Sequence, residues 1–414
     1  MRVLFIMNTF PPAYTGGAEI SAYHTCRGLL REGINCSVLV VNNRSREPIN
    51  EWYELDGIPV HRVNFYTHWR PVWRDIFDGR IYQAVKAELR HLKPDLVHVH
   101  NVSGATLAPY LACRRLNVPV VNTLHDEWLL CPNNMLYQHD GTFCDPLHPN
   151  DCHHLGYKCF RQYDYWGAIP YRRAVFAALT ANVKAFLVPS QALIDVHHHA
   201  GYDLSRLRLV RLGFELPTPE EPTHPKIREI ISTAHQYQTI VFAGGGNETK
   251  GAKVLLQAIP AMLDKVERLQ VIIAGSGDER FLNLFHQYDP AVQILGQVPF
   301  KDMRALFAIA DLVLIPSIWL ENSPVVIFES FQVGTPIIGS AFGGIPEFIQ
   351  EGKTGYLFPK GDAVALSQKI ISHFQRPAHE RRRMRQQCVK YIRTLTLENH
   401  LKNLQQVYHE VLAN

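Results

Sequence analysis

The chain has 414 residues, long for one core and enough for two domains, and its 46% hydrophobic and 19% charged content is that of a globular rather than a disordered protein. A formal net charge of +4 is too slight to argue for nucleic acid, though it suits an acidic substrate or an anionic membrane surface. No run approaches the roughly 18 apolar residues of a membrane span, and the N-terminal run, broken at Asn8, Pro11 and Pro12, reads as a first strand rather than a leader, so a cytoplasmic protein is expected.

Residues 2–7 (RVLFIM) predict a buried parallel strand. The loop after it ends in Gly16-Gly17-Ala18-Glu19. Ala18, Ala22, Cys26 and Leu29 then recur at helical spacing up to Gly33, and a second strand follows over 37–41. This is a strand, glycine-rich turn, helix, strand unit of the dinucleotide-binding type. Gly16 and Gly17 would let backbone N–H groups approach a ligand, the plain alternative being a tight turn. Residues 64–93 set Trp69, Trp73, Phe77 and Tyr82 among arginines. That composition fits a helix lying on an anionic membrane surface, or an amphipathic helix packed on its own domain.

Further strands are expected over 96–100 and 118–124, and His125-Asp126 falls beyond the C-terminal end of the latter, where open α/β sheets bind ligands. Cys131, Cys144, Cys152 and Cys159 follow in a polar loop. Four thiolates suit a closed structural zinc site; without a C-x-x-C pair, four plain thiols is the other reading. Cys26, Cys36, Cys113 and Cys388 are expected in the core. A helix over 168–187 runs into a strand over 185–188, and Pro217, Pro219, Pro222 and Pro225 mark a linker with a domain boundary near residue 216.

The alternation then repeats, with strands over 239–243, 269–274, 292–295 and 311–316 and helices after residue 251 and over 301–310. Lys250 closes the glycine-rich loop Gly244–Gly251 and can reach a diphosphate as a mobile point charge. The stretch Glu321–Gly344 (ENSPVVIFESFQVGTPIIGSAFGG) is the most informative. Ser323 is expected to cap a short buried helix with Pro324 at its first position, and Gly334 and Pro336 end it. Glu321 stands before the helix and Glu329 inside it. Between them lie the free N–H groups of the helix start, which suit a phosphate. Ionised carboxylates only accept hydrogen bonds, so they suit hydroxyl groups. Sugar hydroxyls, diphosphate and ribose hydroxyls of a sugar nucleotide have this order. A surface acid is the plain alternative for Glu329, and its apolar neighbours weigh against it. Glu347 is expected as a capping acid, residues 363–414 as helical, and Arg381–Arg383 with Arg385 as a solvated face.

Glu321, seven residues and Glu329, with DLVLIPS (311–317) before them and Gly334-Thr335-Pro336 and Gly343-Gly344-Ile345-Pro346-Glu347 after, resembles the paired-glutamate signature of the family 4 retaining glycosyltransferases. The likeness extends over nearly the whole chain. It implies the α/β GT-B fold, with two Rossmann-like doubly wound domains facing a cleft. Residues 1–215 would take the acceptor and 216–390 the nucleotide sugar, and a helix within 391–414 would cross back to the first domain. It also implies hexosyl transfer, as in polysaccharide biosynthesis, to a glycan, lipid-linked or small-molecule acceptor, with peripheral membrane contact as a partner reading. With no D-x-D-like motif at a plausible place, catalysis is expected to be metal-independent and without a cofactor.

By the same resemblance Gly16 and Gly17 lie near the donor phosphate and acceptor, and His125 faces the transferred sugar. Asp126 would alternatively only orient His125, and a general-base role for His125 stays open. Lys250 and the N–H groups of Val325 and Val326 would meet the diphosphate. Glu321 would hold the sugar and Glu329 the ribose, with Asn322 and Ser323 also in the donor site. A cysteine-bearing loop after the His-Asp occurs in a subset of the family. Many members carry an arginine where this chain has Gly245, so one phosphate-neutralising charge is missing or supplied elsewhere, for which Arg211 is a candidate. The alternatives are a sugar-nucleotide epimerase or phosphorylase of the same fold, or a catalytically silent nucleotide-sugar-binding protein.

Overall fold

In the computed structural model, which describes residues 1–12, 16–67, 76–131, 134–137, 144, 168–215 and 222–413, the apolar runs form two separate sheets. The chain divides into two compact units, Met1–Glu215 with Leu397–Asn414, and Leu216–Thr396.

The first unit carries β1 (Arg2–Met7), β2 (Asn35–Ser45), β3 (Ile49–Leu55), β4 (Ile58–Tyr66), β5 (Leu96–Val99), β6 (Val120–Thr123), β7 (Val183–Val188) and β8 (Leu207–Leu209), in the order 3-4-2-1-5-6-7-8. Every neighbouring pair is parallel except β3–β4. That antiparallel hairpin, absent from the sequence reading, turns at Asp56-Gly57, both at positive φ. An Asp-Gly pair between alternating apolar residues is the usual hairpin signal. Helices α1 (Gly17–Arg31), α2 (Gly79–Leu92), α3 (Ala108–Leu116), α4 (Ala168–Leu179) and α5 (Gln191–His199) accompany this sheet. The aromatic, basic segment over 64–93 is thus not one helix: it begins as the end of β4 and ends as α2, while Trp69 and Trp73 lie outside the described residues.

The second unit has β9 (Gln238–Phe242), β10 (Leu269–Ala274), β11 (Val292–Gly296), β12 (Leu312–Ile315), β13 (Ile337–Ser340) and β14 (Gly355–Phe358), all parallel, in the order 11-10-9-12-13-14. Counted from its first strand this is the Rossmann order, which reverses between β9 and β12. Its helices are α6 (Pro225–Thr233), α7 (Ala252–Lys265), α8 (Glu279–Asn283), α9 (Phe300–Ile309), α10 (Val325–Gln332), α11 (Ala363–Gln375) and α12 (Ala378–Ile392). Arg385 on α12 is not a solvated charge. It is half-buried and donates to the carbonyls of Ala308 and Ala310 at the end of α9. Glu347 lies within the short 3-10 turn Ile345–Glu347 and ends it.

The last helix, α13 (Leu397–Ala413), belongs to the first unit. Its Leu397, Leu401, Leu404, Val407 and Tyr408 join Ala22, Cys26 and Leu29 of α1 and the apolar faces of β1 and β2 in one core. Cys26 and Cys36 sit there as buried apolar groups, and burial pushes the Cys36 thiol up to about 12.

Candidate functional site

The loops leaving β9 and β12 carry Lys250 and Glu321, on either side of the point where the strand order reverses. In open α/β sheets that is where ligands bind. Glycine is obligatory in the first of these loops. Gly245 has φ +54°, and a Cβ there would lie 2.2 Å from the Ser276 carbonyl oxygen; Gly251 has φ +89°, and a Cβ would lie 2.0 Å from the Pro316 carbonyl oxygen. The loop therefore presses backbone to backbone on its neighbours, which leaves no room at Gly245 for an arginine. Arg211, the candidate for the missing charge, donates to the Pro189 carbonyl within the first unit.

Lys250 Nζ donates to Glu321 Oε1 at 2.8 Å and stands 4.8 Å from the centre of the Trp319 ring. Ser317 Oγ donates to the same oxygen at 2.8 Å, and the Gly344 N–H donates to the Glu321 carbonyl at 2.6 Å. Burial drives the Glu321 carboxyl upward, but the Lys250 charge and the hydrogen bonds from Lys250, Trp319 and Ser317 outweigh it, and the group is held below the ordinary carboxylate value. Glu329 has the opposite environment. It is 7% exposed on α10, its Oε1 has no hydrogen-bond partner, and burial pushes it up to about 8 against the weaker pull of Arg304. Two carboxylates on one short stretch are thus kept in different protonation states at neutral pH, as burial and a paired cation require.

Ser323 is not the helix cap. Helix α10 begins at Val325 with Pro324 in the cap position and no side-chain cap bond. Among the described residues the buried Ser323 Oγ is left without a partner, as is Glu329 Oε1. Two unsatisfied buried polar atoms in the stretch 323–329 call for an explanation, since buried polar groups are nearly always paired. Asn322 is also buried there, and the N–H groups of Val325 and Val326 belong to the first turn, which a helix leaves without internal partners.

In the first unit Gly16 takes the cap position of α1 and Gly17 its first turn; Glu19, buried in that turn, accepts from Thr9 Oγ in the loop leaving β1. His125 follows β6, and its Nε2 lies 2.8 Å from Nδ1 of His100, at the end of the adjacent strand β5. The Asp126 carboxylate accepts from the Trp128 N–H at 2.9 Å and the Asn134 amide at 3.3 Å. Burial holds both imidazoles low, His125 at about 4 and His100 well below its usual value. Next to them His98 binds Tyr408 Oη and Thr123 Oγ1 at 2.6 and 2.7 Å. Sequence reasoning passed over His100, although His98-Val99-His100 at the end of a strand was visible.

Cys131 is buried and Cys144 half-buried, while Cys152 and Cys159 lie outside the described residues. Among the described residues no group of three or more His, Cys, Asp or Glu side chains is arranged to hold a metal, and no helix is long and apolar enough to cross a membrane.

The family model of the glycosyl transferases group 1 matches residues 223–394, and that of glycosyltransferase family 4 matches residues 15–216. An uncharacterized glycosyltransferase of Methanocaldococcus jannaschii is 24% identical over 383 residues, 88% of this chain and 87% of that protein. The D-inositol 3-phosphate glycosyltransferase of Corynebacterium glutamicum is 27% identical over 258 residues, 59% of this chain and 61% of that protein. Among solved structures, Anabaena HepE in complex with UDP superposes with a TM-score of 0.71 at 17% identity, covering 99% of this chain and 100% of that one. That likeness shows the fold, two parallel-sheet α/β domains of the GT-B type.

Proposed function

The chain belongs to the family 4 glycosyltransferases, and we propose that it moves a hexosyl group from a nucleotide sugar to a glycan, lipid-linked or small-molecule acceptor, with retention at the anomeric carbon. The observation that carries this reading is the pair of buried carboxylates on the two sides of the α10 start, one paired with Lys250 and one whose Oε1 has no hydrogen-bond partner among the described residues. The second unit takes the donor and the first the acceptor. Glu321 Oε1 is occupied by Lys250 and Ser317, and Oε2 accepts from a sugar hydroxyl. Glu329 accepts from the ribose. In the transfer step the acceptor oxygen bonds to the anomeric carbon while the bond from that carbon to the phosphate oxygen breaks. The acceptor proton passes to the leaving phosphate, and Lys250 with the Val325 and Val326 N–H groups stabilises the departing charge. Fixed donors aimed at a developing anion supply the electrostatic stabilisation that a metal ion supplies in other transferases, so the transfer is metal-independent. His125 contacts the sugar, and Gly16 and Gly17 present their backbone to the donor phosphate and acceptor.

A thermal-shift panel of UDP-, GDP- and ADP-sugars, with and without EDTA, tests the donor site, because a ligand that binds only the folded chain raises its stability. The UDP bound to HepE makes the uridine series the first arm. One series should raise Tm, unaffected by EDTA, and Glu321→Ala should keep its fold and lose transfer. Full turnover by Glu321→Ala, or no shift with any nucleotide sugar, overturns the reading. Product analysis with and without acceptor separates transfer from epimerisation, which needs no acceptor.

A further inference from the structure

We propose that the groove between helix α12 and the turn that enters β14 is a second ligand site of the second unit, taking a small organic phosphate with two or more negative charges. The groove has a volume of about 720 Å3, within the roughly 300–1,000 Å3 of small-molecule sites. Its cations come from three separate parts of the chain: Lys353 from the turn, Arg376 from the end of α11, and Arg383 and Lys390 from α12. The turn is fixed by its own hydrogen bonds. The Lys353 and Thr354 N–H groups donate to the Gln350 carbonyl, and the Gln350 N–H donates to Thr354 Oγ1 at 2.9 Å. Strand β14 starts just beyond, at Gly355, so this wall stands at the N-terminal edge of a parallel sheet. The loops that carry Lys250 and Glu321 leave the C-terminal edge, so the groove is no part of that site.

Most of this charge has no protein counter-charge. Arg376 pairs with Glu380, the carboxylate that lines the groove, at 3.3 Å. Glu351, close to Lys353 in the chain, is taken by Lys369 Nζ at 2.6 Å and the Leu357 N–H at 2.7 Å. The exposed side chains of Lys353, Arg383 and Lys390 have no ion-pair or hydrogen-bond partner among the described residues. Four cations against one carboxylate, with His379 neutral, leave the groove at +3, beside +4 for the whole chain. Other arginines of α12 make structural contacts: Arg385 holds the carbonyls at the end of α9, and Arg381 lies 3.9 Å from Asp311. A solvated helix face accounts for Arg383 and Lys390 alone, not for cations brought to them from two other segments. Like charges set together cost stability, and a bound anion removes that cost. One carboxylate is too little for the net charge here, whereas a phosphate monoester carries about −1.5 to −2 and takes an arginine fork bidentately. The concave walls admit a small molecule and not a flat bilayer.

The test is a calorimetric titration of the full chain with fructose bisphosphate as the probe. Saturable binding to a single site is expected. Arg383→Gln and Lys353→Gln should each weaken it by on the order of tenfold, the usual loss of one hydrogen bond to a charged group. Arg383→Lys should lose less, because the charge stays while the fork goes. Lys250→Ala should bind the probe as the unaltered chain does. The groove variants should hold or raise Tm, since each removes a charge from a like-charged cluster. No saturable binding at millimolar probe overturns the proposal. Loss of binding in Lys250→Ala with none in the groove variants also overturns it, by moving the probe to the donor loops. Cosedimentation with vesicles of equimolar phosphatidylcholine and phosphatidylglycerol is the last arm. Vesicle binding that needs Arg383 and Lys353, with no binding of the bisphosphate, would make the groove a membrane surface and overturn the small-molecule site.

Discussion

If Glu329 holds the ribose, donor binding expels a proton. The carboxyl, pushed up to about 8 by burial, is mostly neutral at pH 7. Ribose hydroxyls donating to it favour the ionised form. Ionising it at pH 7 costs about 1.4 kcal/mol, because one pKa unit is worth about 1.4 kcal/mol. Nucleotide-sugar affinity should therefore rise about tenfold between pH 7 and pH 9 and then level off. Binding at pH 7 should release close to one proton, roughly 0.9 by the same titration. A nucleotide sugar, unlike a free diphosphate, has no phosphate group that titrates in this range. Calorimetry in two buffers of different ionisation enthalpy reads the released proton directly. Glu329→Gln should bind more weakly at pH 9 and show neither the release nor the pH dependence. The folded chain holds this proton more tightly than the unfolded one. The Glu329 contribution to stability is thus complete below the usual carboxylate range and is lost as pH rises through about 8. Buffer-independent heats for the unaltered chain, or the same proton release from Glu329→Gln, would refute the reasoning.

Gly245→Ala should lower Tm by roughly 5 °C or more. A left-handed residue with a side chain costs roughly 1–2 kcal/mol before any clash, and a unit of this size loses roughly 2–4 °C per kcal/mol; the Cβ at 2.2 Å from the Ser276 oxygen adds to that. A Tm unchanged within a degree or so would show that the loop simply moves aside. The buried histidines should make the chain acid-sensitive. His98, His100, His125 and His400 are all held low by burial, so the folded chain binds fewer protons than the unfolded one below the usual imidazole range. Their stabilisation is complete above about pH 6.5 and is lost as pH falls toward about 4, with His125 alone accounting for about 3 kcal/mol. Denaturant titrations of the full chain between those limits measure the slope, and a flat profile would contradict the burial argument.

Strands were legible where the chain spells buried runs, as in RVLFIM and LQVIIA, because a strand covered on both faces needs nothing but apolar side chains. The family signature was legible because Glu321 and Glu329 are close in the chain. The β3–β4 hairpin was written at Asp56-Gly57 and passed over. Ser323 misled, since a serine before a proline satisfies the local rule for a cap while the helix begins one residue later. The sequence by itself determined the class of fold, the glycine loop and which acids and cations could serve a sugar nucleotide, because those depend on periodicity and short spacing. Only the tertiary structure decided which of them meet: Lys250 with Glu321 and His100 with His125 are apart in the chain, and parallel strands bring their C-terminal ends to one edge whatever separates them in sequence, while the packing of α13 brings Tyr408 to His98. The same packing sets the charges. One glutamate is buried beside a lysine and the other has an oxygen with no hydrogen-bond partner among the described residues, and that difference in surroundings, invisible in Glu-x7-Glu, holds the first below the ordinary carboxylate value and pushes the second up to about 8.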